Sequence, residues 1–481
     1  MNRLGARIVS GTFWSAVETW GRQLALFLIF VVLAQYLGPE ALGLAALAAV
    51  APTILCVPVI QGFPDALVQR TTVEREHFES VFWLLVSIGL VLSASIYAAA
   101  PLVADFFDEP ALEELVRWTS LIVVIQAIAS VPMAILKRDL GFRMLAIRTL
   151  TGTSLSGAIG VGMAIAGMGV WSLIGMQLAK VSSEAFILLV FSRWRPRLRF
   201  SIAHVRELSG FAVPMIVQSL WTYINEELPK IFLGAFIGPY AVGIYAFARR
   251  LHDLMVQGLL TPLTNVALPA ISRIQEQPEK VNQFFDTGIR LTGLVAFPAF
   301  AGFAAIAPDA VPLVFGPQWA SAVIPVQMLM ILALVRTVDS LCGVTLLALG
   351  YSKLILMLNI TYTVLALIAL PIGASISLEA TLAAQILCNL ILVPIFLWLA
   401  QRRANLDVFT PLAFLPRLAV AAGVLYLAVT LWRRGFPMEF SPVLLVGSSI
   451  VVGAAAYGIM AILLMRPDLF RARETLLRMR G

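Results

Sequence analysis

Apolar runs of about 20 residues recur along the whole chain, separated by short polar stretches. A helix of about 20 residues spans the roughly 30 Å of hydrocarbon in a bilayer. Windows of that length predict fourteen transmembrane helices, near residues 11–36, 41–63, 80–102, 114–136, 148–168, 170–191, 209–236, 240–268, 284–307, 321–349, 354–374, 378–400, 414–432 and 442–465. The expected fold is an all-α integral membrane protein. The first run is read as a retained helix, because Glu18, Arg22 and Gln23 interrupt any short signal-like segment and no small-residue cleavage site follows.

The chain also resembles itself at an offset of about 200 residues. Leu37-Gly38-Pro39-Glu40-Ala41-Leu42-Gly43 aligns with Ile237-Gly238-Pro239-Tyr240-Ala241-Val242-Gly243. Ser10-Gly11 matches Ser209-Gly210, Pro101-Leu102-Val103 matches Pro312-Leu313-Val314, and Gly141-Phe142 matches Gly350-Tyr351, all in the same order. Six helices separate equivalent positions, so both copies cross the membrane in the same sense, as a parallel repeat. The expected organisation is an N-terminal lobe over 1–208 (helices 1–6) and a C-terminal lobe over 209–403 (helices 7–12). Residues 404–481 add helices 13–14 and a basic tail.

Composition and charge sharpen this picture. Of 481 residues, 60% are hydrophobic and 13% charged, and the mean hydropathy is +0.91. A soluble domain carries about twice that charged fraction. The loops on one side hold 24 Lys and Arg, whereas those on the other hold only Arg433 and Arg434. The positive-inside bias therefore places both termini in the cytoplasm. It also accounts for the formal charge of +7 without a nucleic-acid partner. Cys56, Cys342 and Cys388 lie inside apolar runs and read as packing residues. His77, His204 and His252 are spaced too widely for a zinc site, so no metal and no resident cofactor is expected. No GxxxxGK[ST] phosphate loop is present in the sequence. The outer loops, about 103–113, 308–320 and 433–441, are short for a polymerase or ligase, so the chain reads as a transporter and not an enzyme.

Charges inside the predicted spans are the candidate chemistry. A charge at the bilayer centre costs about 2.5–3.5 kcal/mol even on a lenient scale, so it faces a partner or water. Helix 1 carries Glu18 and Arg22 one turn apart, with Trp14 a turn earlier. Helix 7 carries Glu226, Glu227 and Lys230, with Glu226 and Lys230 at i,i+4 and with Gln218 and Asn225 as further polar candidates. Helix 8 carries Tyr245, Arg249, Arg250, His252, Asp253 and Gln257. These are the first helices of the two lobes and the second helix of the C-terminal lobe, and a shared charged cavity is the expectation. Arg22, Lys230, Arg249, Arg250, Tyr245, Gln218 and Asn225 are assigned to substrate. Glu18, Glu226, Glu227 and Asp253 serve as counter-ions or coupling groups. Lys180 with Glu184, and Arg336 with Asp339, read as pairs local to one helix. Pro52, Pro58, Pro214, Pro229 and Pro262 are expected to bend helices 2, 7 and 8.

The Ser10-Gly11-Thr12-Phe13-Trp14 opening, the Leu37–Gly43 turn and the Lys137-Arg138-Asp139-Leu140-Gly141-Phe142 loop resemble bacterial polysaccharide-biosynthesis exporters. These are Wzx-type flippases of the multidrug/oligosaccharidyl-lipid/polysaccharide exporter superfamily, in the branch with colanic acid, teichuronic acid and succinoglycan exporters. The likeness covers essentially the whole chain. It implies a multi-pass protein of the bacterial cytoplasmic (inner) membrane that flips polyprenyl-pyrophosphate-linked oligosaccharide to the outer leaflet by alternating access. Arg22 and Arg249 or Arg250 would then hold the pyrophosphate. The implied partners are the lipid-linked oligosaccharide, membrane lipids, and a polysaccharide polymerase with glycosyltransferases. Coupling to protons, to sodium ions or to the membrane potential stays open. The competing functions are a cation-coupled multidrug exporter and a lipid II flippase of the same architecture, with a membrane polymerase or ligase behind them.

The charge asymmetry is testable directly. A fluorescent protein fused after Gly481 is expected to mature, and alkaline phosphatase inserted after Arg434 is expected to be active. The reverse pattern contradicts the orientation.

Overall fold

The computed structural model describes residues 3–192, 194–435 and 441–478, with the side chains of 3–18, 263 and 466–478 outside that description. The candidate Glu18, its neighbour Trp14 and the basic C-terminal tail therefore lie outside the described side chains. Every described element is helical. In chain order these are α1 (Arg3–Tyr36), α2 (Pro39–Leu55), α3 (Val57–Ile60), α4 (Phe63–Gln69), α5 (Arg75–Phe106), α6 (Ala111–Arg138), α7 (Phe142–Ile165), α8 (Trp171–Phe191) and α9 (Ile202–Phe236). Then follow α10 (Pro239–Leu259), α11 (Thr261–Ile274), α12 (Pro278–Phe315), a 3₁₀ segment (Pro317–Ala322), α13 (Val323–Ala348), α14 (Ser352–Ala374), α15 (Leu378–Ala404), α16 (Phe409–Leu412), α17 (Leu415–Gly435) and α18 (Pro442–Arg478).

All fourteen predicted segments fall on helix. Ten are long and apolar enough to cross a membrane, and twelve are when two bent pairs each count as one span. Helices α7 and α9 are not among them. Both are long enough, but α7 is rich in Ser, Thr and Gly, and α9 carries five charged side chains between Arg206 and Lys230. The two bent pairs occupy equivalent places in the repeat. Helix 2 breaks by 50° between α2 and the α3–α4 segment, around Cys56 and Gly62, and helix 8 breaks by 44° between α10 and α11. Pro58 and Pro262 sit in the first turn after a break, where a missing N–H leaves no hydrogen bond unmade. Helix α9, in contrast, runs unbroken through Pro214 and Pro229.

By contacts the chain forms two compact units, Met1–Gly243 and Ile244–Gly481, with the division inside α10. In the first unit α9, which opens the second sequence repeat, packs against α2, α4 and α5. The equivalent turns of the two repeats meet here. A Cβ on Gly43 would lie 1.8 Å from the Pro239 carbonyl oxygen, and a Cβ on Gly243 would lie 1.7 Å from that of Pro39. The contact is reciprocal, as a local twofold requires, and only glycine permits backbones this close. The residue at the end of α6 supports a second junction. The Arg138 guanidinium donates to the carbonyl oxygens of Leu67, Arg70 and Thr71, at 2.7–2.8 Å for Leu67 and Thr71. It thereby satisfies carbonyls left open where α4 ends. Phe63, Leu67, Phe82, Leu85, Val131 and Leu208 pack as a buried cluster around it.

The second unit is organised on α12 and α13. Phe247 stacks on Trp319 with ring centroids 4.2 Å apart, and Phe315 meets it edge-on at 4.9 Å. Asp286 takes the Nε of Arg290 at 2.8 Å, and Arg433 pairs with Asp309. Between α15 and α16, the Thr410 hydroxyl donates to Asp407 at 2.6 Å and holds its carboxyl below the usual range.

One expectation is corrected. His77 and His204 are not scattered in space, since their rings meet edge-to-face with centroids 4.3 Å apart. Sequence distance misleads because α9 lies against the start of α5.

Replacing Gly43 or Gly243 by alanine drives a methyl group into a backbone carbonyl that no rotamer change can clear. Each substitution is expected to cost about 1–3 kcal/mol, read as a lowered melting temperature in detergent. Gly423→Ala, where nothing lies within 4 Å of the added Cβ, should leave it unchanged.

Candidate functional site

The side chains chosen from sequence divide between the two units. In the first, Arg22 is half-buried on α1, Gln218 is exposed and Asn225 half-buried on α9. The expected Glu226–Lys230 pair gives way to a different one. Lys230 Nζ lies 2.8 Å from both oxygens of Glu227, which is 6% exposed, while Glu226 faces outward. The i,i+3 partner is favoured because it is the buried carboxylate, which has no water to fall back on. In the second unit, Arg249 Nε donates to Asp253 Oδ1 at 2.8 Å, one turn along α10, and His252 Nδ1 lies 3.0 Å from the same oxygen. Tyr245 is fully buried one turn before Arg249. Arg250 is half-buried beside it. The structure thus assembles two charged stations, Glu227–Lys230 and Arg249–His252–Asp253.

Inside the first unit lies a cavity of about 470 Å³ that the sequence reading did not single out. Its polar lining comes from Gln61 in the break of helix 2, Asp65 in the first turn of α4, Gln126, Ser130 and Lys137 on α6, Arg148 on α7 and Glu184 on α8. The carboxylates are already engaged. Asp65 Oδ2 accepts from the Gly62 backbone N–H at 3.1 Å, and Glu184 Oε2 lies 3.3 Å from Arg148. Glu184 was expected to pair locally with Lys180. It reaches across to Arg148 on α7, because α7 and α8 pack along their lengths.

Two polar atoms in this lining are buried with no hydrogen-bond partner among the described residues: Arg148 Nε and Gln126 Oε1. Buried polar groups of that kind ask for a ligand or water. Lys137 makes no ion pair among the described residues and is exposed. With Arg148 committed to Glu184, the cavity offers the Lys137 ammonium, the unpartnered Arg148 Nε and two amides, which suits a phosphate-bearing, hydroxyl-rich headgroup. Gln126, a polar residue in mid-run, was the signal available in sequence. Arg148 was hidden by its place at the edge of a basic loop.

Residues 32–324 match the model of a family described as polysaccharide biosynthesis protein. The chain is 28% identical over 309 residues to the succinoglycan biosynthesis transport protein ExoT of Rhizobium meliloti (strain 1021), over 64% of this chain and 63% of that one. The match therefore spans just under two thirds of that relative. Over 465 residues it is 24% identical to the teichuronic acid biosynthesis protein TuaB of Bacillus subtilis (strain 168), covering 95% of each. The fold is similar to a solved structure of the lipid II flippase MurJ in an inward closed conformation, with a TM-score of 0.77 at 14% identity. That match covers 95% of this chain and all of the other.

The Arg148–Glu184 pair is testable by asymmetric removal. Glu184→Leu leaves a guanidinium, 11% exposed, without its counter-charge and is expected to destabilise by about 3–5 kcal/mol. The double substitution Arg148→Met with Glu184→Leu should recover most of the melting temperature. Equal losses in single and double variants would show that the pair carries no such coupling.

Proposed function

The chain belongs to the polysaccharide biosynthesis protein family, and we propose that it is a flippase. It moves polyprenyl-pyrophosphate-linked oligosaccharide from the cytoplasmic to the outer leaflet of the bacterial cytoplasmic membrane by alternating access. It does so as a fourteen-helix protein with both termini inside, α7 and α9 completing the count. The bends in helices 2 and 8 are the places where such a motion would be absorbed.

The observation that carries this reading is the cavity in the first unit, where Asp65 is engaged by the Gly62 N–H, Glu184 by Arg148, and Lys137 lines the space with no ion pair among the described residues. A cation-coupled drug exporter calls for the opposite balance, with carboxylates free to meet a positive substrate. In the proposed roles Lys137 and Arg148 take one phosphate, and Gln61 and Gln126 meet sugar hydroxyls. Arg22, Lys230, Arg249, Arg250, Tyr245, Gln218 and Asn225 serve the headgroup elsewhere along its path. Glu18, Glu226, Glu227 and Asp253 balance their charge or couple the step to an ion.

The driving force follows from the charge carried. A pyrophosphate with roughly two negative charges gains about 2.3 kcal/mol per charge per 100 mV on moving outward across an inside-negative membrane.

Reconstitution in liposomes with a fluorescent polyprenyl-pyrophosphate disaccharide tests the proposal. Wild type is expected to expose the sugar to an outside quencher. Lys137→Ala and Arg148→Ala should each slow this by at least about tenfold, the loss of one charge-assisted hydrogen bond. Unchanged rates in both, or a wild-type protein that moves only cationic amphiphiles, would overturn it.

A further inference from the structure

We propose that Glu74, His77 and His204 form a divalent transition-metal site, of zinc type, that ties the start of α5 to the start of α9. The site lies apart from the cavity and is independent of the transport reading.

Three observations carry it. First, one ring nitrogen of each histidine and one carboxylate oxygen of Glu74 all lie within 4.8 Å of one another. His204 Nε2 is 3.7 Å from Glu74 Oε2 and 3.9 Å from Glu76 Oε2. Zinc bonds of about 2.0–2.2 Å in a tetrahedral site place ligand atoms roughly 3.3–3.6 Å apart, so the closest of these separations is already near the required value.

Second, one of the two histidines is left incompletely hydrogen-bonded, while the other holds its partners at long distances. His204 Nδ1 is buried with no partner among the described residues. His77 is 3% exposed. Its Nδ1 receives only a 3.2 Å bond from the Glu74 backbone, and its Nε2 faces Glu207 Oε2 at 3.3 Å.

Third, the neighbouring charges sort themselves so that one carboxylate is left over. Arg70 takes Glu207 at 2.6 Å, Arg75 takes Glu79 at 2.8 Å and Arg199 takes Glu76 at 3.4 Å. Glu74, 74% exposed, has no arginine among the described residues.

Two imidazoles and one carboxylate suit zinc and its transition-metal neighbours, whereas magnesium and calcium call for oxygen ligands throughout. The fourth position is open to Glu76 or a water. The linker before α9 is already strapped to α5, because Trp83 Nε1 donates to the Arg197 carbonyl at 2.7 Å and the Ser201 N–H donates to Ser80 Oγ at 3.0 Å. A metal here would lock that strap. The competing reading is a histidine pair that only joins two helices.

Full-length, tag-free protein stripped with EDTA separates the two. Zinc titrated against a chromogenic chelator is expected to bind at one ion per chain and to raise the melting temperature. Cobalt is expected to give the visible absorption bands of a tetrahedral site. His204→Gln and Glu74→Gln should each weaken zinc at least tenfold while melting like wild type in EDTA. If a variant melts lower in EDTA, the wild-type cobalt spectrum decides alone. Absence of those bands, or unaltered zinc affinity in both variants, would leave only a helix-joining pair.

Discussion

Hydrocarbon does not solvate charge, and the arrangement of this molecule follows from that. A guanidinium or carboxylate on a membrane-crossing helix has to find an opposite charge, a backbone dipole or a wet cavity. Ion pairs within the described helices obey this rule. Glu227 holds Lys230, Asp253 holds Arg249, Asp286 holds Arg290 and Glu184 holds Arg148. Of these four, three are one helical turn apart, and Arg433 with Asp309 adds a pair between α12 and α17. Glu184 with Arg148 also crosses between helices, and of these pairs it alone lines the cavity. A pair within one helix can be made before packing, so it neutralises charge and fixes little else. A pair between α7 and α8 forms only when those helices dock, so it sets the position of the cavity wall.

The second organising feature involves no side chain. Gly43 and Gly243 let the two Gly-Pro turns touch backbone to backbone, and the reciprocity of that contact reflects the repeat in sequence. Where lipid surrounds the helices, hydrophobic burial gives no advantage to helix–helix contact, and close van der Waals packing of small residues takes its place. The bends after α2 and after α10 sit at matching points beyond these turns.

The helices were legible because lipid imposes one length and one polarity on each span, and Gly-Pro turns marked several ends. The family was legible from its turns and loops taken in order. Partner choice was not. Lys230 takes Glu227 where spacing alone favoured Glu226, since burial decides between two neighbours and burial is a tertiary property. Glu184 takes Arg148 across a helix interface that sequence does not show. The edge-on meeting of His77 and His204 needed α9 folded onto α5. Nor did the sequence show that α9 continues as one helix through Pro214 and Pro229.

The central claim is that this protein selects a pyrophosphate-bearing glycolipid. Native mass spectrometry of the protein released from bacterial membranes in mild detergent tests it most directly. The account predicts an adduct with the mass of a polyprenyl pyrophosphate bearing sugars, displaced by inorganic pyrophosphate and depleted in Arg148→Ala. Only bulk phospholipid on the wild-type protein, or displacement of the adduct by a cationic amphiphile but not by pyrophosphate, would contradict it.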